Sequence, residues 1–193
     1  RYGGGRTEEN RTERISGQYR TCRLYPESVP GSSLEEDEAE ELRTLIANRN
    51  FFGVEEVLDH MDVADSVKEA FHLLPELTGG AEILDQALSV APGEKAGQAI
   101  HRLKQIDELL RLYGVEDHIT FDLSMSGNYG YYTGIIFRAY TYGTGDAVVR
   151  GGRYDHLLEK FGKNTPSIGF AIILDELMNA LNRQNIQVVS QPQ

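Results

Sequence analysis

Three glycine-bearing segments offer the best candidates for chemistry: Tyr131-Tyr132-Thr133-Gly134, Gly151-Gly152-Arg153-Tyr154-Asp155 and Gly169-Phe170-Ala171. Glycine inside a strand gives up stability and side-chain packing, and it often marks a place where a ligand or another backbone comes close. Successive side chains of a strand point to opposite faces. One of Tyr131 and Tyr132 can therefore face a pocket while the other packs. Three such segments on consecutive sheet elements can line one pocket. The pattern suits equally well the bulges and turns of a purely structural sheet. Arg153 with Asp155 suits equally an ion pair that pins a turn.

Other chemistries lack support. His60, His72, His101, His118 and His156 share no metal-ligand spacing, no His-Glu-x-x-His occurs, and each reads as a surface or capping histidine. No Gly-x-Ser-x-Gly elbow or Gly-Lys-Ser/Thr phosphate loop is present. Cys22 is the sole cysteine, which excludes an internal disulfide and a Cys-rich metal cluster. A Ser/His/Asp or Cys/His nucleophilic system has no sequence support, and no metal site or cofactor is expected. Acidic residues number 30 against 19 basic ones, a net charge of −11, which argues against a broad nucleic-acid face. No apolar run approaches the roughly 20 residues of a membrane span, and no secretory stretch opens the sequence. The expectation is a soluble cytoplasmic protein without membrane or nucleic-acid partners.

The elements that must position the glycine segments fall into four stretches of the 193 residues. Residues 1–33 read as an atypical polar arm, disordered or misread: six arginines and three glutamates fall in the first 23 residues, with almost no apolar periodicity. Pro26, Pro30 and Gly31 punctuate its end. Residues 34–114 read as a helical block. Ser33 and Glu36 form a capping box ahead of Ala39, Leu42, Leu45 and Ile46. Further helices are predicted over 54–61, 64–74, 81–90 and 94–113. The last carries Ile100, Leu103, Ile106, Leu110 and Tyr113 as its stripe and is stopped by Gly114. Over 115–183 the period changes. Ile119, Phe121 and Leu123 alternate with polar residues; a strand over 131–142 leads through Gly143-Thr144-Gly145-Asp146 to a returning strand at 147–150. A short helix at 154–161, a buried strand at 167–172 and a helix at 174–182 follow. Residues 184–193 read as a polar tail. The fold class is α+β, a helical insertion block followed by an antiparallel sheet with flanking helices.

Taken together and in order, Tyr131-Tyr132-Thr133-Gly134, Gly151-Gly152-Arg153-Tyr154-Asp155 and Pro166-Ser167-Ile168-Gly169-Phe170-Ala171-Ile172 resemble the C-terminal half of the histidyl-tRNA synthetase class II catalytic core. Asn50-Phe51-Phe52-Gly53 and the helical block resemble the segment between motifs 2 and 3 of that family. The resemblance covers about residues 34–183. Two departures matter. Synthetases carry Arg-Gly-Leu-Asp before Tyr-Tyr-Thr, where this chain has Gly127-Asn128-Tyr129-Gly130. Motif 3 ends in Gly-Leu-Glu-Arg, where this chain has Ile173-Leu174-Asp175-Glu176. Losing one transition-state arginine costs several kcal/mol, and a carboxylate in its place adds repulsion toward a triphosphate. The stretch 121–161 resembles the regulatory branch of the family, the ATP phosphoribosyltransferase regulatory subunits.

That resemblance implies a non-catalytic regulatory subunit that serves the first step of histidine biosynthesis. Its implied partner is a short-form catalytic ATP phosphoribosyltransferase, its effector histidine, and its assembly a homodimer within a hetero-oligomer. Tyr131, Tyr132, Thr133, Gly152, Arg153 and Tyr154 would line a relic histidine pocket. The alternatives are a fragment of a histidine–tRNA ligase and an amino-acid-sensing domain of another protein. The family also places motifs 1 and 2 upstream, in about another 150–200 residues, roughly one domain's worth. Their absence leads to the expectation of a fragment whose sheet has an unpaired edge, and which dimerises through that edge or is poorly stable.

Overall fold

The computed structural model describes residues 16–21, 36–125 and 132–186. The capping Ser33 lies outside them, but the predicted helices are present: α1 (Glu36–Ala47), α2 (Phe51–His60), α3 (Asp65–Leu73), α4 (Glu82–Ser89) and α5 (Glu94–Leu112). Each buries the stripe that its 3.6-residue period dictates. Leu42 and Ile46 meet Val54, Leu58, Val67, Phe71, Leu84, Ile100 and Leu103 in one cluster. The stripe of α5 is buried only over its first half, and Tyr113 at its end is 81% exposed.

Helix ends follow local backbone chemistry. After α5, Gly114 takes φ 66, its N–H donates to the Arg111 carbonyl, and that of Val115 donates to the Leu110 carbonyl. This is the left-handed cap glycine favours. After α1 the same pair of bonds runs from Arg49 to Ile46 and from Asn50 to Leu45, yet Arg49, not glycine, holds φ 55. Asn50 then caps α2, its side chain accepting from the Gly53 N–H at 3.1 Å.

The sheet has six strands: β1 (Ser16–Thr21), β2 (Thr78–Gly79), β3 (Ile119–Asp122), β4 (Ile135–Tyr140), β5 (Val149–Tyr154) and β6 (Ser167–Ile172). Their order is β2-β3-β1-β4-β5-β6. Every neighbouring pair is antiparallel except β1 with β3. Sequence patterning gives no strand within 1–33, whereas β1 stands mid-sheet. It is defined by backbone pairing on both edges, Gly17 with Ile119 and with Ala139, which side-chain alternation does not announce. The returning strand also runs later than expected, so Gly151–Tyr154 lies within β5 and the anticipated helix shrinks to a 3₁₀ segment, Leu157–Phe161.

The expectation that 167–172 is buried is overturned: Ile168 is 66% exposed, Phe170 67% and Ile172 55%. The boundaries match, but β6 ends the sheet. The helical core reaches only Phe121 and Leu123, with Ile119 and Ile135 packed against it. Helix α6 (Leu174–Arg183) follows β6, held where Ile173 N–H donates to the Val148 carbonyl and Gln184 to the Tyr142 carbonyl.

Candidate functional site

Strand register sorts the glycine segments into two sets. Phe137, Gly151 and Phe170 form one rung across β4, β5 and β6; Ile136, Gly152 and Gly169 form the next. Neighbouring rungs face opposite sides of the sheet. The Phe137 side is the one the helices cover over β3 and β4; the Gly152 side is termed here the open face.

On the open face the two glycines are floors for tyrosines. A Cβ on Gly152 would lie 2.6 Å from the Tyr132 ring, and one on Gly169 would lie 2.9 Å from the Tyr154 hydroxyl. Any side chain at either position would displace the ring above it. Tyr132, Gly152 and Tyr154 therefore come together. Tyr131 and Gly127 lie outside the described residues.

Thr133 and Arg153 go elsewhere. Thr133 Oγ1 donates to Asp155 Oδ2 at 2.9 Å, and the Asp155 N–H donates back to Thr133 Oγ1 at 2.9 Å. Arg153 Nε donates to Asp155 Oδ1 at 2.9 Å. The Arg153 bond, with help from Thr133, holds the Asp155 carboxyl below its usual range against the opposing effect of burial. This trio edges a cleft of about 920 Å³ on the helical side, shared with Arg102, Ile106, Phe137, Pro166 and Ile168. Five of the six expected pocket residues are thus described, three on one face and two on the other.

Two open-face residues were not among the sequence candidates. Arg138 of β4 stands directly opposite Arg150 of β5, two rungs beyond Ile136 and Gly152 and so on the same face. Arg150 pairs with Asp146 in the turn between these strands. Its Nε is sealed from solvent without a hydrogen-bond partner, which costs about 1–3 kcal/mol. The period-2 alternation of β4 puts Arg138 on the side of Ile136; the missing signal is the turn length, which sets the register.

A second buried polar centre ties the block to the sheet. Asp122 is fully buried and accepts from Arg49 Nη2 at 2.7 Å, Thr78 Oγ1 at 3.3 Å, the Ser124 N–H at 3.0 Å and Ser124 Oγ at 2.6 Å. It anchors the end of β3, from which the chain continues toward Tyr132. Glu176 lies half-buried in the first turn of α6, where a carboxylate favours the helix dipole. No cluster of three or more His, Cys, Asp or Glu among the described residues is placed to hold a metal ion. No described helix is long and apolar enough to cross a membrane.

The sequence model of the family described as histidyl-tRNA synthetase matches residues 21–177. An ATP phosphoribosyltransferase regulatory subunit of Acetivibrio thermocellus is 36% identical over 156 residues, 81% of this chain and 37% of that protein. A protein of the same name from Desulforamulus reducens is 41% identical over 151 residues, again 37% of its length. Among solved structures, an ATP phosphoribosyltransferase regulatory subunit/histidyl-tRNA synthetase from Bacillus halodurans C superposes with a TM-score of 0.78 at 27% identity, covering 87% of this chain and 44% of that one. The chain thus spans less than half the length of these relatives.

Proposed function

The chain belongs to the histidyl-tRNA synthetase family, and we propose that it acts within that family as part of a non-catalytic regulatory subunit of ATP phosphoribosyltransferase. The observation that carries this reading is the 36–41% identity to proteins of that name across some four-fifths of the chain. Residue chemistry supports it. The two positions at which a synthetase holds catalytic arginines are Gly127 and Glu176 here. The tyrosine–glycine face is retained, so the surface keeps a means of recognising a small ligand without the cations that drive adenylate formation.

On this reading the partner is a short-form catalytic ATP phosphoribosyltransferase, and histidine is the effector. The assembly is a homodimer of the regulatory chain within a hetero-oligomer. Regulation is then a coupling free energy between the effector's site and the partner's active site, typically about 1–3 kcal/mol. The test is to add the protein to a short-form catalytic subunit and follow phosphoribosyl-ATP formation. The expected result is activation that histidine suppresses. The family description favours a histidine–tRNA ligase as the second reading. Histidine-dependent ATP–pyrophosphate exchange, with no effect on the phosphoribosyltransferase, would establish that reading and overturn the first.

A further inference from the structure

The open face carries a feature that the tyrosine–glycine floor does not need. Arg138 and Arg150 stand opposite each other in register, and like charges directly opposite across an antiparallel pair weaken it. Among the described residues one carboxylate answers them: Asp146, on Arg150. Arg150 Nε is buried without an acceptor. Among the described residues, Arg138 has no carboxylate in its ion-pair range. The rung of Ile136, Gly152 and Gly169 is the next on the same face, two residues or roughly 7 Å along the strands. One amino-acid-sized ligand can span from the Tyr132 and Tyr154 rings to this guanidinium pair.

We infer that Arg138 and Arg150 form an anion subsite of the open face, taking the carboxylate of an amino-acid ligand whose side chain lies against Tyr132 and Tyr154. The inference rests on reading that face as an effector pocket. Guanidinium groups match a carboxylate's two oxygens with paired donors, and such charge-assisted bonds are the strong ones. An anion here would neutralise the opposed pair. The subsite would also supply positive charge of the kind that a synthetase carries at the positions of Gly127 and Glu176. Asp146 holds Arg150 in place, which leaves Arg138 as the arm that responds to the ligand.

Titration calorimetry on this chain with histidine and with histidinol, which lacks the carboxylate, tests the inference. The chain should bind histidine at least about tenfold more tightly than histidinol. In Arg138→Gln, histidine affinity should fall about 10–100-fold while histidinol affinity holds, so the preference disappears. The ligand-free melting temperature of that variant should equal or exceed the parent's, because one of two opposed charges is gone. A lower melting temperature would mark Arg138 as a structural partner and overturn the inference. If the parent prefers histidine and Arg138→Gln keeps that preference, the subsite is wrong and the effector pocket stands. If the parent binds neither compound, both fail.

Discussion

Leu74, Leu84 and Leu103 in and around the helical block are fully buried, whereas Ile168 and Phe170 of β6, equally apolar, stand about two-thirds exposed. The block closes on itself: α1 to α5 turn their stripes inward and share one cluster. The sheet joins that cluster only over β3 and β4, through Ile119, Phe121, Leu123 and Ile135. Elsewhere β4 to β6 carry tyrosines over glycines, opposed arginines and an exposed apolar row. The contrast teaches that residue type sets what a side chain can gain from burial, while the neighbouring element decides whether it is buried at all. It also separates the two regions by role, since a surface that must meet a ligand cannot be filled by its own packing.

The largest effect should come from the closed region. Leu84→Ala removes a fully buried side chain and leaves a cavity, and it is expected to cost about 3 kcal/mol. Phe170→Ala, at an exposed site, should stay within about 0.5 kcal/mol. Urea unfolding followed by far-ultraviolet circular dichroism measures both, the chain having no Trp to report. Similar losses in the two variants would show that the β6 row is packed and would break the comparison.

Next come the groups that join the regions. Asp122→Ala leaves buried donors at Ser124 without an acceptor and should cost about 2 kcal/mol. Arg49→Gly should cost less than about 1 kcal/mol. The Arg49 side chain is 59% exposed, the buried Asp122 carboxylate keeps its Ser124 and Thr78 donors without it, and glycine suits φ 55 better than arginine does. If Arg49→Gly matched Asp122→Ala, the joint would be an ion pair rather than a buried hydrogen-bond centre. Smaller again is Gly152→Ala, expected to cost about 1 kcal/mol as the Tyr132 ring is pushed off its floor. Its signature is a larger effect on ligand affinity than on the melting temperature.

The same contrast governs what was legible in the sequence. Helices α1 to α5 could be read because their stability comes from apolar stripes with a 3.6-residue period, which sequence displays directly. β1 could not, because its place is fixed by backbone bonds to β3 and β4. β6 has the expected bounds but not the expected burial, since Ser167–Ile172 carries the composition of a core strand and nothing local says that no described element covers it. At the site, the glycines of 151–155 and 169–171 signal close approach; Phe137 and Phe170 approach Gly151, and the rings of Tyr132 and Tyr154 approach Gly152 and Gly169. That Thr133 and Arg153 leave the face of Gly152 and Tyr154 follows from strand alternation, once β5 is known to extend through Tyr154. The opposition of Arg138 and Arg150 needed the register, a property of two strands and their turn together.

The subtlest test concerns the Thr133–Asp155–Arg153 trio, the polar counterpart on the helical side to the tyrosine floor on the other. Arg153 and Thr133 hold the Asp155 carboxyl below its ordinary value of 3.8. A carboxylate depressed in the folded state stabilises the fold above its unfolded value, and that contribution is lost as pH falls through the folded one. Asp155→Asn should therefore be slightly less stable than the parent near neutral pH, and the gap should narrow below about pH 4 as the parent's carboxylate takes up its proton. The residue is only partly buried, so the gap is the smallest effect expected here. Melting temperatures of both proteins across that range decide it. A gap that persists at low pH would mean that the oxygens hold Thr133 and Arg153 as neutral acceptors do. The pinning of Tyr132's neighbour would then rest on geometry rather than charge.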